Sequence, residues 1–194
     1  MDAAVTLMSS PWVHLLIALV ALADAIVPLL PSETVVITAG VFAASGSTDV
    51  LPVVASAAAG ALVGDHLSYL LGRVMSGWTA GRDPAGPRAR ALRRASSLLA
   101  ERGGMALVVA RYVPGGRTAV TLAMGALRHP FGSFFRWDAI AALSWAAYCT
   151  AIGVVGGNAF AEDPLPAVAL GVTIALAVAA LAEVLRHVRR PAAA

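Results

Sequence analysis

Four ionisable residues in otherwise apolar runs, Asp24, Glu33, Arg111 and Arg117, are where this chain could do chemistry. If those runs lie in a bilayer, each charge costs about 2.5–3.5 kcal/mol at its centre on insertion-derived scales, so four of them point to a function that needs charge. The acids could exchange protons and the arginines could hold an anion. A phosphate suits them. The segment Arg111-Tyr112-Val113-Pro114-Gly115-Gly116-Arg117-Thr118 places two guanidiniums around glycines that expose backbone N–H groups ahead of a helix start. It lacks the Lys-Ser/Thr ending of a nucleotide-binding P-loop. Brought together, Asp24 and Glu33 would face Arg111 and Arg117, two acids against two bases. The alternative is packing, with buried salt bridges and with Glu33 capping a half-helix whose N-terminal end favours a carboxylate.

Composition makes the bilayer the expected solvent. The 194 residues are 59% hydrophobic and 13% charged, with a mean hydropathy of +0.78, outside the balance of a soluble domain. About 20 apolar residues cross a hydrocarbon core of roughly 30 Å, so several such stretches use up the chain and 1–194 reads as a single membrane domain. The basic residues are all arginine, and they crowd between Arg82 and Arg102. Beside apolar spans, 73–103 reads as a cytoplasmic Arg-rich loop obeying the positive-inside bias and touching membrane lipids, and no nucleic acid is expected as a partner. The lone Cys149 excludes an intrachain disulfide. No basic residue precedes the first apolar run, so that run is expected to be kept rather than cleaved.

The apolar segments 12–30, 34–44, 51–72, 105–127, 139–157 and 164–185 are not equivalent. Those at 51–72, 139–157 and 164–185 are long enough to span, the last as a C-terminal spanning helix. The segment 34–44 is too short, and Pro28, Pro31 and Pro114 break the runs they sit in. Broken backbone at membrane depth is tolerated only where protein or a wet cavity surrounds it, so the breaks point to a site. The expected architecture is an all-α integral membrane protein: spanning helices plus two re-entrant helical hairpins, one near 25–44 in a first half, 12–72, and one near 105–127 in a second half, 104–157. Arginines at 73–102, Arg128, Arg136 and the tail Arg186-His187-Arg189-Arg190 set the cytoplasmic side, with Glu162-Asp163 outside. That makes the hairpins inverted relative to each other, as in many secondary transporters with a midplane site. A kinked spanning helix over 105–127 is the alternative.

Across roughly 15–160 the chain resembles the DedA family of membrane proteins, also called the SNARE-associated or VTT-domain group. Asp24 with Pro28-Leu29-Leu30-Pro31-Ser32-Glu33 is similar to its acidic, proline-rich first hairpin. Gly60-Ala61-Leu62-Val63-Gly64-Asp65 with Tyr69, Gly72 and Arg73 is similar to its glycine-rich helix, and Arg111, Pro114, Arg117, Gly125, Phe131, Phe134, Arg136 and Trp145 follow in order. The family commonly has Glu where this chain has Asp24. The resemblance implies proton-motive-force-coupled movement of a lipid phosphate, typically undecaprenyl phosphate, or of a phospholipid, across the bacterial cytoplasmic membrane. It implies proton coupling by Asp24 and Glu33 and phosphate binding by Arg111 and Arg117. Burial disfavours an ionised carboxylate and a nearby arginine favours it, so an anionic lipid head that competes for the arginines could drive the acids to take up protons.

Asp65, Gly115 and Gly116 are supporting candidates, Asp65 either as a structural partner of an arginine or as part of the route. Gly60, Gly64, Ser68 and Gly72 form a small-residue face that means close helix packing. His14, His66, His129 and His187 have no ligand partners at a metal-binding spacing, so no metal and no cofactor is expected. The partners expected are polyprenyl phosphate or phospholipid, protons and membrane lipids, and self-association into a homo-oligomer stays open. Competing functions are a lipid-phosphate phosphatase, for which Ser32 has no evident base, and a scaffold or small-ion exchanger. The expectation is a transporter and not an enzyme.

Overall fold

A computed structural model describes residues 10, 12–27, 30–78, 86–113, 115–159 and 173. The expected spanning helix at 164–185, the tail arginines and the prolines Pro28 and Pro114 lie outside them. The described residues form seven helices: α1 Trp12–Ile26, α2 Ser32–Ala44, α3 Val50–Trp78, α4 Pro87–Arg102, α5 Met105–Arg111, α6 Gly116–Ala126 and α7 Phe131–Ala159. The all-α expectation is met.

Two helices carry the architecture. Residues Val50–Met75 of α3 and all of α7 are long and apolar enough to cross a membrane. Pro52 does not break α3 because it sits in the first turn, where backbone N–H groups have no helical acceptor to lose. The other apolar helices are too short to span: at about 1.5 Å per residue, α1 and α2 reach only about 20 Å and α5 only about 10 Å.

Each break has a local cause. Pro31 precedes α2, its carbonyl accepting from the Thr34 hydroxyl at 2.5 Å. Between α5 and α6, Gly115 takes a left-handed conformation, φ +71, which any side chain would strain. The breaks therefore fall between Ile26 and Ser32 and between Arg111 and Gly116, and the first hairpin has arms Trp12–Ile26 and Ser32–Ala44, so it begins well before residue 25, the boundary expected from the prolines alone.

Contacts between helices fix their directions. Gly60 and Gly64 of α3 lie against Ala18 and Leu22 of α1, and Ser68 donates to the Ala25 carbonyl at 3.2 Å, so α1 and α3 are parallel. Gly40 of α2 meets Thr150 of α7, and Gly157 meets Val41 and Ala44, so α2 and α7 are parallel. On the other side α5 runs parallel to α7, with Gly104 against the Trp137 indole and the Tyr112 hydroxyl donating to Ser144 Oγ. Helix α6 runs parallel to α3, from Arg117 beside Asp65 to Leu122 beside Gly72. Helices α3 and α7 are antiparallel: His66 meets Asp138 while Tyr69, further along, stacks on Phe134 with ring centroids 4.5 Å apart.

The topology follows. Units α1–α3 and α5–α7 are each a broken-helix hairpin followed by a long helix, and they run in opposite directions. In each, the first arm packs on its own long helix and the second arm crosses to the partner unit's long helix. Because α5 follows α7 and α6 follows the antiparallel α3, the chain reverses between α5 and α6, which is a hairpin and not the kinked continuous helix considered for 105–127.

The Arg-rich stretch 73–103 departs from the loop expected of it. Helix α3 continues to Trp78, and α4 covers Pro87–Arg102. Alanine, leucine and arginine are strong helix formers, Pro87 stands at the first helical position, and Gly103 at φ +57 ends the helix with its N–H on the Leu99 carbonyl. Charge marked the segment as surface, and propensity made it helical.

Small residues, Ala21, Ala57, Ala61, Ala142 and Ala146, fill much of one apolar cluster, Tyr69, Leu107, Met124 and Phe134 form a second, and many large apolar side chains face outward, with Leu51 77% and Val74 73% exposed. Lipid supplies no hydrophobic drive between helices, so close approach of small residues does the packing.

Candidate functional site

The polar residues form one buried layer between two apolar clusters. On α3, Asp65 lies between Ala61 of one cluster and Tyr69 of the other. On α7, Asp138 lies between Ala142 and Phe134. Asp24 is on the last turn of α1, Arg111 ends α5, and Arg117 is in the first turn of α6. Both hairpin breaks thus deliver their charges to the same level of the two long helices. The Thr118 hydroxyl, which donates to the Ala25 carbonyl at 3.2 Å, ties the two hairpins together there.

The arginines divide their partners differently from the expected facing of two acids and two bases. Arg117 Nη2 donates to Asp24 Oδ2 at 3.1 Å, and its Nε lies 3.4 Å from Asp65 Oδ1. Arg111 turns away from Asp24 and Glu33: its Nη2 donates to Asp65 Oδ2 and lies 3.2 Å from Asp138 Oδ1. The physical reason is direction. Helix α5 packs along α7, so its last residue points at Asp138 and across to α3, whereas α6 starts beside the end of α1.

Asp65 is therefore the centre of the site. It is fully buried and touches both guanidiniums. Asp24 is held further by the buried Ser32 hydroxyl, which donates to its Oδ2 at 2.8 Å. Glu33 is exposed and makes no ion pair among the described residues, although it lies within electrostatic reach of Asp24, Arg117 and Arg111. Gly115 and Gly116 shape the turn beside Arg117.

Arg111 is only partly satisfied. Its side chain is buried under the Trp145 ring, 5.8 Å from the centroid, and its Nε and Nη1 have no hydrogen-bond acceptor among the described residues. A guanidinium is a fixed fork of five N–H donors that fits phosphate or carboxylate two bonds at a time. With Nη2 held by both carboxylates, the Nε–H and Nη1–H groups remain as donors that can meet an anion.

Asp138 was not singled out in the sequence, and Ser32 only as a nucleophile without an evident base. Asp138 follows Arg136, which reads as cytoplasmic, and lies just outside the apolar segment 139–157. The signal was helical period: Phe134, Asp138, Ala141, Ala142, Trp145 and Cys149 share one buried stripe of α7. Ser32 gave no such signal, because only the hairpin turn brings it to Asp24.

The chain matches the VTT domain over residues 30–155. It is similar to Protein DedA of Escherichia coli (strain K12), 25% identical over 194 residues, covering 94% of this chain and 87% of that protein. It is 30% identical over 133 residues to the inner membrane protein YohD of the same organism, covering 69% of this chain and 68% of YohD. An uncharacterized membrane protein of Mycobacterium leprae is 24% identical over 147 residues, 75% of this chain and 66% of the relative. No solved structure matches. With the family's domain running from the second arm of the first hairpin through α3, the second hairpin and most of α7, this chain is a membrane protein of the DedA family, the VTT-domain group.

Proposed function

We propose that the protein carries a lipid phosphate across the bacterial inner membrane in a cycle coupled to proton movement, with undecaprenyl or another polyprenyl phosphate as the cargo. The observation that carries this reading is the buried pair Arg111 and Arg117 on either side of the second helix break, shared among Asp24, Asp65 and Asp138, with Arg111 keeping donors unfilled. Three buried carboxylates against two guanidiniums leave an excess of negative charge if all are ionised. An isolated extra charge is expensive in an apolar interior, so the empty site holds at least one proton on its acids. A phosphate arriving at the arginines adds more negative charge and displaces carboxylates, which then take up further protons. Release of the phosphate lets the arginines reclaim the acids and expel the protons. Coupling follows from charge neutrality in a medium that cannot solvate an imbalance.

The hairpins act as re-entrant loops that meet near mid-membrane, with the basic helix α4 on the cytoplasmic face. Glu33, exposed at the first break, and Asp24 are the first acids to exchange protons, and Arg111 and Arg117 grip the phosphate.

The test is transport of labelled undecaprenyl phosphate in sealed proteoliposomes under an imposed proton gradient. Arg111→Lys and Arg117→Lys keep the charge but lose the planar fork, and each lowers the rate by about 10-fold or more, one lost hydrogen bond to a charged group being worth about 1.5–3 kcal/mol. Glu33→Gln uncouples transport from the gradient. Wild-type rates in all three variants sink the proposal. Equal movement of phospholipid without a gradient identifies a scramblase, and release of inorganic phosphate from the lipid identifies a phosphatase.

A further inference from the structure

Beyond Asp138 the polar layer does not stop. His66 Nδ1 lies 2.7 Å from the Leu62 carbonyl, so that nitrogen carries its proton, and the same nitrogen is 3.5 Å from Asp138 Oδ2. The imidazole is held edge-on by Phe131, Phe134 and Phe135, with ring centroids 5.1–5.6 Å away, yet its side chain keeps 21% exposure while Asp138 has none. Asp138 Oδ2 accepts no hydrogen bond, so it has room for a proton.

The ionisable groups form one connected series. Glu33 comes first, next to Ser32, whose hydroxyl holds Asp24. Asp24, Arg117, Asp65, Arg111 and Asp138 follow by ion pairs, and His66 comes last, beside the start of α7. Glu33 is exposed and His66 partly exposed, and everything between them is buried.

Resting on the proton-coupled reading above, we infer that His66 and Asp138 are the proton port at the end of the series opposite Glu33, so that protons enter at one end and leave at the other. In the loading direction a proton from solvent binds His66 Nε2, and the Nδ1 proton passes to Asp138 Oδ2. The ring is left as the Nε2–H tautomer and the carboxyl is neutral. Discharge is the reverse, with the Asp138 proton returning to Nδ1 and the Nε2 proton leaving to solvent. The groups that bias the transfer are Asp65 on the same helix, Asp138 on α7, Arg111 at the end of α5 and, through Asp65, Arg117 on α6. Tyr69, which stacks on Phe134, donates its hydroxyl to the His129 carbonyl at 2.6 Å. Histidine suits the role because its two ring nitrogens can take a proton on one side and give one on the other.

The experiment uses the full chain and farnesyl phosphate as the probe. Protons exchanged on binding are counted by calorimetry in two buffers of different ionisation heat, and transport is followed while pH is varied on each side of sealed vesicles in turn. His66→Gln, at a part-exposed position, keeps farnesyl phosphate affinity within about twofold and flattens the pH dependence from one side only. Asp138→Asn keeps an oxygen for Arg111 and removes about one proton from the count. Wild-type pH profiles in His66→Gln overturn the inference, as does an equal loss of affinity and melting temperature with the profile unchanged. If wild-type protein itself exchanges no protons, the coupled reading falls first. If only the two variants behave as wild type, that reading stands and the port alone is lost.

Discussion

Asp65 differs from the other acids in serving two arginines at once. Removing one partner of a buried ion pair leaves an uncompensated charge, a loss of about 3–5 kcal/mol, whereas a peripheral partner matters less. Asp65→Asn is therefore expected to lower the melting temperature in detergent well below that of Asp24→Asn, because Asp24→Asn frees only Arg117 and leaves it its Asp65 contact. Equal melting of the two variants would show that Asp65 is not the hub. Asp24 reaches Arg117 with its carboxylate held by the Ser32 hydroxyl.

The elements are held by backbone approach. Gly153 of α7 and Gly40 of α2 meet with no side chain between them, and a Cβ on Gly153 would overlap the Ile37 carbonyl. Gly156, one turn on, has nothing within 4 Å of an added Cβ. Gly153→Val should push α2 off α7, displace Glu33 and cut both stability and transport, while Gly156→Ala should raise stability by about 0.5–1 kcal/mol through helix propensity. Thermal unfolding of the two purified variants checks this, and a tolerated Gly153→Val would mean that α2 is not seated as described. The small-residue face Gly60, Gly64, Ser68 and Gly72 was legible as packing, and the structure divides it: Gly60 and Gly64 seat α1, and Gly72 seats α6.

At the scale of the molecule, the turn after α2 and the basic helix α4 lie at opposite ends of the long helix α3, so the proposed re-entrant arrangement puts them on different sides of a membrane. In a Cys149→Ala background, Ser45→Cys should react with a membrane-impermeant maleimide added outside intact cells, and Ser97→Cys only after the inner face is opened. Labelling of both from one side would contradict the arrangement. The basic residues Arg90, Arg93 and Arg94 on α4 fit the inner side by the positive-inside bias.

Sequence by itself determined the solvent, the class and the sites of breakage. A chain this apolar must bury its backbone polar groups in helices, and prolines or glycines at 28, 31 and 114–116 interrupt them whatever the surroundings. It also exposed Asp24, Glu33, Arg111 and Arg117, because charge in an apolar run is costly enough to stand out. Only the tertiary structure decided which charges meet. Pairing depends on helix direction and on arms that cross between units, and no local pattern encodes that. So Arg111 went to Asp65 and Asp138, Asp138 itself emerged from just outside an apolar segment, and Ser32 found Asp24 across a turn. The Arg-rich segment became a helix for the opposite reason, since a local propensity was present that the reading by charge had set aside.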